Sequence, residues 1–407
     1  MADLELLPAA PAAPAAKSLS DDEVLAHTAA LWKYQDIPQS EPEPFPEYMQ
    51  QETDLPDGRV IAARVRGKKH KHDGSNCDDW YEVANLDGIT LLAVADGAGS
   101  KKFSRIGARE SCRAALGYLL HNLAQDKPVD TNDTAQLTNR LAGLVQQAVL
   151  RAYGAVEAAF YTRVADLAYS AVLGRDLQLK DFSATLLLAV VVPLSPLSKD
   201  CLVVSCQVGD GMIAVINSDA DFANALKLLG TPDSGDFSGE TDFLTSPQMQ
   251  NLEKLQSRTR VFCGALDKLF LMTDGVSDDY FPNETELQRL YFDLLLNGVL
   301  PFADGQLALN DLTPEQLKLF KQIPSPLAFP WVNDQNIKVP VQYTRRICEA
   351  LGLSLADIWQ EQTVLKLAHL ELAGTAADNA AEQLKVWLDN YVERGSFDDR
   401  TLVIFTR

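Results

Sequence analysis

Three apolar runs in this 407-residue chain end on the same pair of residues. "LLAVADG" ends on Asp96-Gly97, "CQVGDG" on Asp210-Gly211 and "LFLMTDG" on Asp274-Gly275. Asp398-Asp399 precedes the last apolar run, "TLVIF", and Asp78-Asp79 stands in "NCDDW". One Asp-Gly pair is an ordinary turn, because Asp hydrogen-bonds nearby backbone and Gly accepts positive φ. Turns alone account poorly for three such pairs at the ends of apolar runs. Carboxylates brought together repel one another unless cations sit among them. Hard divalent cations such as Mg²⁺ and Mn²⁺ take oxygen ligands. Among the five histidines only His70 and His72 are closely spaced, which disfavours zinc.

These carboxylates need elements to carry them. "RVIAARVRG" (59–67) reads as a first strand, and residues 80–95 as a hairpin with Asp87-Gly88 in its tight turn. Apolar spacing at Ile106, Cys112, Leu116 and Leu119 predicts a helix, and a second helical stretch covers roughly 134–170. Buried strands are expected at 183–192, 201–208, 211–216, 267–273 and 401–405. Residues 284–394 are mainly helical in pattern, broken by the Pro-rich stretch 323–331. Strand runs on both sides of paired helices predict an α/β fold: a four-layer α-β-β-α sandwich of two mainly antiparallel sheets flanked by helices. Residues 8–16, "PAAPAAPAA", are low-complexity; Ser20 and Glu23 form a capping box for a short helix to about Tyr34; "EPEPFPE" (41–47) reads as an extended linker. The expected organisation is an N-terminal extension over 1–55 and one domain over 56–407, with a helical insertion at about 284–394.

The net charge of −20 argues against nucleic acid and anionic membranes as partners. An acidic chain can still act on phosphates where cations reverse the local field. Mean hydropathy is −0.09, and no run of about 18 uncharged apolar residues is present to span a membrane. Asp3 and Glu5 come too early for a signal peptide. The six cysteines show no CxxC spacing and read as buried thiols in a reducing compartment, so a cytoplasmic location is expected.

The residues around these aspartates carry a resemblance. "VADGAGSKKFSRIGA" (94–108) resembles the DGxG motif of the metal-dependent protein phosphatases, the protein phosphatase 2C or PPM family, and most of all its bacterial DGAGS subgroup. "GSNCDDW" resembles the family's acidic pair, "SATLL" its Thr-bearing strand start and "VGDG" its GDSR. "MTDGVSDDYFPNETE" is similar to its SDGLSD segment, and "FDDRTLVIF" to DNxT with the terminal strand. The motifs occur in family order from about residue 66 onward. The resemblance implies two divalent ions, Mn²⁺ or Mg²⁺, that activate a water for in-line attack on phosphorus. It implies that Asp96 bridges both ions, that the Gly97 carbonyl is a ligand, and that Asp274 and Asp398 complete the first ion's shell. Asp78 would act through water on the second ion with Asp79 beside it, and a one-residue shift of register exchanges those two roles. Asp210 matches the position that, with Asp274, holds a weaker third ion in many relatives.

The sequence also departs from the family. Its phosphate-binding arginine has no counterpart, since counting places Gly74 there. "GKKHKHDG" (67–74) offers Lys68 and Lys69 as phosphate ligands and His70 as a proton donor to the leaving alkoxide; the alternative for this basic run is a solvated face. GDSR has become Gly209-Asp210-Gly211-Met212. The helical segment between Asp274 and Asp398 either packs on the core or meets a partner. The expected function is a serine/threonine protein phosphatase acting on phosphorylated proteins, opposite a cognate kinase. Two rivals stand beside it: a degenerate, non-catalytic binding or sensor module on the same fold, and a metal-dependent hydrolase of small phosphoesters.

Overall fold

The structure is a computed structural model that describes residues 32–125, 133–230, 242–303, 305–324, 343–372, 379–390 and 397–407. Its strands make two antiparallel sheets. The first has the order β1 (Tyr48–Leu55), β2 (Gly58–Val65), β11 (Arg400–Thr406), β10 (Lys268–Met272), β7 (Met212–Ile216), β8 (Leu226–Leu228). The second has β3 (Trp80–Leu86), β4 (Ile89–Ala95), β5 (Leu186–Pro193), β6 (Asp200–Val208), β9 (Thr259–Ala265). The long helices are α2 (Ser104–Gln125), α3 (Thr134–Arg163) and α7 (Asn283–Leu296). Shorter ones are α1 (Lys68–Asp73), α4 (Leu167–Leu173), α5 (Leu252–Arg258), α6 (Asp274–Ser277), α8 (Pro314–Phe320), α9 (Tyr343–Leu351), α10 (Leu355–Gln360), α11 (Thr363–Leu372) and α12 (Ala380–Asn390).

The central strands read as unbroken apolar runs because both of their faces are buried. In β4, Leu92 and Val94 pack between the sheets with Val60, Ala62, Leu271 and Val403. Ile89, Leu91, Ala93 and Ala95 of the same strand pack outward in a cluster with residues of α2 and α3. The outer face of the first sheet, with Ile61, Ala63, Phe270 and Ile404, is covered by α7, α9, α11 and α12. Burying each such Val, Leu, Ile or Phe side chain contributes roughly 1.5–3 kcal/mol. Together these layers make the α-β-β-α sandwich expected from the sequence. Asp87 (φ 49°) and Gly88 (φ 88°) close the β3–β4 hairpin, and two positive φ values define the type I′ turn that suits strand twist.

Several elements differ from expectation. Residues 48–55, placed in the extension, form the edge strand β1, paired along its length with β2. The stretch 41–47 packs on the domain, with Phe45 and Glu41 buried. The folded body therefore begins well before residue 56. The strands β8 and β9 were not expected. The helical stretch 134–170 is two helices, with Asp166 capping α4 through the Ala168 N–H. The helix expected from Ser20 falls largely outside the described residues, as does most of the Pro-rich break at 323–331; residues 32–34 are not helical.

Candidate metal centre

Strand register explains how distant aspartates meet. In the first sheet Met272 pairs with both Leu402 and Met212. The end of β10 and the beginnings of β11 and β7 therefore lie abreast, which brings Asp274, Asp398-Asp399 and Asp210 to one edge. In the second sheet Trp80 pairs with Ala95, so Asp79 and Asp96 stand side by side. The two edges face each other. A Cβ at position 97 would lie 2.6 Å from the Asp78 carbonyl oxygen, and one at 275 would lie 1.9 Å from that of Asp399. Glycine after these aspartates is thus required by the close approach of neighbouring backbone.

Asp96, Asp210 and Asp274 each bring one carboxylate oxygen within 4.8 Å of the others. Asp79 Oδ2 accepts hydrogen bonds from Thr273 Oγ1 (2.9 Å) and Thr401 Oγ1 (2.6 Å). Its Oδ1 is buried and has no donor. The Asp96 carboxyl lies within hydrogen-bonding reach of Asp79. Thr185 fixes Asp96 from behind: its Oγ1 accepts from the Asp96 N–H at 2.8 Å and its N–H donates to the Asp96 carbonyl at 2.8 Å. Burial drives the Asp96 and Asp274 carboxyls well above the usual range, and neighbouring carboxylates add to it. Burial, then Asp399, pushes Asp79 up to about 7. Burial also takes Asp78 up to about 8, against the pull of His70. Such a cluster is relieved either by protons or by cations. The converging donors are all oxygens, and the buried Asp79 Oδ1 accepts from no amide or hydroxyl, so the residues fit a hard divalent cation.

Asp399 organises a second group. It accepts from the N–H groups of Gly67 (2.6 Å) and Asp78 (2.5 Å) and from His70 Nδ1 (2.7 Å). His70 Nε2 lies 4.0 Å from Asp398 Oδ1, whose side chain is exposed. Burial alone would lower the His70 pKa, but Asp399 outweighs it and raises the imidazole to about 10. Beside the carboxylates lies a pocket of about 240 Å³ whose lining includes Lys69, His70, Asp78, Lys101, Lys102 and Arg105. In a chain of net charge −20 this is a local concentration of positive charge next to the acidic edge. Lys68, expected with Lys69 to meet phosphate, does not line the pocket; its charged neighbours are Arg400, Asp389 and Lys71, and burial lowers it to about 8. Adjacent residues on a helix point about 100° apart, which separates the two lysines.

The structure thus draws Asp79, Asp96, Asp210 and Asp274 together, with Asp398 close enough to influence Asp96 and Asp274 electrostatically. Asp78 and His70 border the pocket. Sequence reasoning missed Thr273, Thr401, the buried role of Asp399, and Asp278. Burial raises the Asp278 carboxyl, with Asp210 and Asp398 adding to it. The signal for Asp278 was its place four residues after Asp274, on the same side of a helical turn. The threonines flank aspartates at strand ends. Arg105 gave no signal at all.

Residues 66–307 match the protein family described as Protein phosphatase 2C. No curated protein matches the chain. Among solved structures, the chain is similar to the serine/threonine phosphatase Stp1 from Staphylococcus aureus, at 13% identity and a TM-score of 0.38 over 88% of this chain and 97% of that one. It is similar to the serine-threonine phosphatase 2C from Toxoplasma gondii, at 13% identity and a TM-score of 0.38 over 89% of this chain and 99% of that one. It is also similar to RsbX in complex with magnesium, at 10% identity and a TM-score of 0.34 over 88% and 99%. The matched family region takes in more than half of the 407 residues and every site carboxylate before Asp398; the chain belongs to the protein phosphatase 2C family.

Proposed function

We propose that the chain is a metal-dependent phosphatase that hydrolyses phosphoserine and phosphothreonine in proteins. The observation that carries this reading is the buried, donorless Oδ1 of Asp79 among the converging carboxylates, next to a pocket bordered by basic side chains. Asp96, the Gly97 carbonyl, Asp274 and Asp398 would hold one of two Mn²⁺ or Mg²⁺ ions, Asp96, Asp78 and Asp79 would surround the other, and Asp210 with Asp274 would hold a weaker third. Bound there, such ions supply Lewis acidity to a water and to phosphoryl oxygens. Thr273 and Thr401 hold Asp79 in one orientation, so the site needs little reorganisation. Among the described residues, Lys69 and Lys101 are in no ion pair and can attract the phosphoryl dianion as point charges. Asp399 fixes the His70 ring with Nδ1–H toward itself, which leaves Nε2 as the atom to hand a proton to the leaving oxygen. The DGAGS loop favours the bacterial subgroup, and a phosphoprotein substrate with a cognate kinase follows from the reading.

One observation favours the degenerate-module alternative. Arg105 spends four of its five N–H donors on the Glu43, Lys102 and Pro42 carbonyls and on Glu41, so it offers no bidentate clamp to a phosphate. The test is turnover of a phosphothreonine peptide panel and a chromogenic phosphoester, with and without Mn²⁺, beside titration calorimetry with Mn²⁺. Metal-dependent turnover with a high KM is expected. Metal binding without turnover supports the sensor module, and turnover of the small ester alone supports the small-molecule hydrolase. Absence of both binding and turnover removes the catalytic reading.

A further inference from the structure

The segment 35–45 lies outside the region matched to the family, yet it is bonded to Asn76, Lys102 and Arg105 of the phosphate pocket and to residues behind α1. Behind one wall, the Gln35 N–H donates to the Lys71 carbonyl (2.7 Å), and Arg66 Nη2 donates to the Gln35 carbonyl (2.8 Å). At the second, the Phe45 N–H donates to Asn76 Oδ1 (2.8 Å). At the third, the Glu41 carboxylate is shared: Oε1 meets Arg105 Nη2 and Oε2 meets Lys102 Nζ, both at 3.0 Å. Arg105 also donates to the Pro42 and Glu43 carbonyls (2.6 and 3.2 Å). Glu41 is 7% exposed and Arg105 1%, whereas the Lys102 side chain is 36% exposed.

A long ammonium side chain at a pocket rim normally samples many rotamers, and ordering it is charged to ligand binding. Here Glu41 holds Lys102 in place beforehand. An ammonium has three N–H donors, so one can serve Glu41 and the others remain for a phosphate oxygen. Arg105, with four of its five N–H donors consumed, anchors the segment and keeps at most one for a phosphate oxygen. Resting on the phosphatase reading given above, we infer that residues 35–45 are part of the substrate site, a brace that shapes the phosphate pocket, and that Glu41 is the positioning residue through which it sets Lys102.

The experiment compares Glu41→Gln, Glu41→Asp, Lys102→Ala and the Glu41→Gln/Lys102→Ala double variant. KM and kcat are read on a phosphothreonine peptide, and inorganic phosphate binding is read by calorimetry. Glu41→Gln should raise KM and weaken phosphate binding by about fivefold, the size expected of one partly solvated charged contact, with kcat changed less than about twofold. Glu41→Asp should recover part of the loss, and the double variant should match Lys102→Ala. An unchanged or lower KM in Glu41→Gln overturns the inference, since the carboxylate would then be inert or a repelling charge. Additive effects in the double variant overturn it as well. If Glu41→Gln fails to fold, the milder Glu41→Asp with Lys102→Ala completes the same cycle. If the wild type turns over no substrate, the phosphatase reading fails, and phosphate calorimetry still decides the brace.

Discussion

Asp96→Asn should stabilise the metal-free protein and remove its stabilisation by metal. In the chelated protein Asp96 faces Asp210 and Asp274, whose nearest oxygens lie within 4.8 Å. One pair of unit charges at 4.8 Å repels by about 3.5 kcal/mol at an effective dielectric constant near 20. Protons shared among coupled carboxyls relieve much of this, which leaves an expected gain of about 1–2 kcal/mol. For a chain of 407 residues that is roughly 1–2.5 °C in Tm. The new amide also brings an N–H donor within hydrogen-bonding reach of the Asp79 carboxylate. The sign with pH follows from the raised folded-state pKa: the penalty is absent below the ordinary carboxyl value of 3.8, grows as pH rises above it, and is complete only above the folded value. The advantage of the variant should therefore vanish near pH 4 and increase with pH, so that it is larger at pH 8 than at pH 5. Added Mn²⁺ at a hundred times its Kd should stabilise the wild type by about 2.7 kcal/mol and the variant far less, so the order of the two melting curves reverses. Scanning calorimetry in EDTA and in millimolar Mn²⁺, at pH 5 and pH 8, reads this directly. A variant that melts at or below the wild type in EDTA at pH 8, or equal Mn²⁺ stabilisation of both proteins, refutes the reasoning.

Glu43 gives an acid-side prediction. Burial would raise its carboxyl, but hydrogen bonds from Arg163, Tyr169 and Arg109 hold it down to about 2. That stabilisation is present above the unfolded value near 4.5 and lost as pH falls through about 2; after discounting for solvent, Glu43→Gln should cost about 1–2 kcal/mol in urea melts at pH 7 and nothing below pH 2. Lys69→Ala should raise KM for a phosphopeptide several-fold while Lys68→Ala leaves it unchanged, because Lys69 alone of the two lines the pocket; equal effects would show that the basic run acts as a diffuse field. Deleting residues 1–31 should keep chromogenic turnover within a few-fold, whereas deleting 1–55 removes β1 and the brace and should abolish soluble, active protein; expression and turnover of both truncations check it.

Much of the fold could be read from the sequence because its central strands are apolar on both faces and end in the same dipeptide. "LLAVADG" and "LFLMTDG" each announce a buried strand and a carboxylate at its end. The edge strand β1, "YMQQETDL", announces nothing, because none of its residues is fully buried and no apolar alternation results. β9, also an edge, was hidden in the same way, with Val261 exposed. At the site, the aspartates were legible as types, but their partners were not. Asp79 takes its orientation from Thr273 and Thr401, which lie 194 and 322 positions away. Arg105 reads as an ordinary polar residue on an amphipathic helix, and only the folded chain sets it against Glu41, 64 positions earlier.

The cysteines carry a practical consequence. Cys263 is exposed and Cys348 partly so, while Cys77, Cys112, Cys201 and Cys206 are buried. Cys77 adjoins the acidic edge, but burial drives its thiol far above the usual range, so it stays un-ionised and unreactive. Cys263 sits on β9 opposite Leu202, near the start of β6, whereas the aspartates gather beyond Val208 at the other end, roughly 20 Å along the strand. A maleimide dye or spin label should therefore react first at Cys263, on the rim far from the carboxylates. The native chain thus carries its own attachment point for following cation loading spectroscopically, with no engineered cysteine.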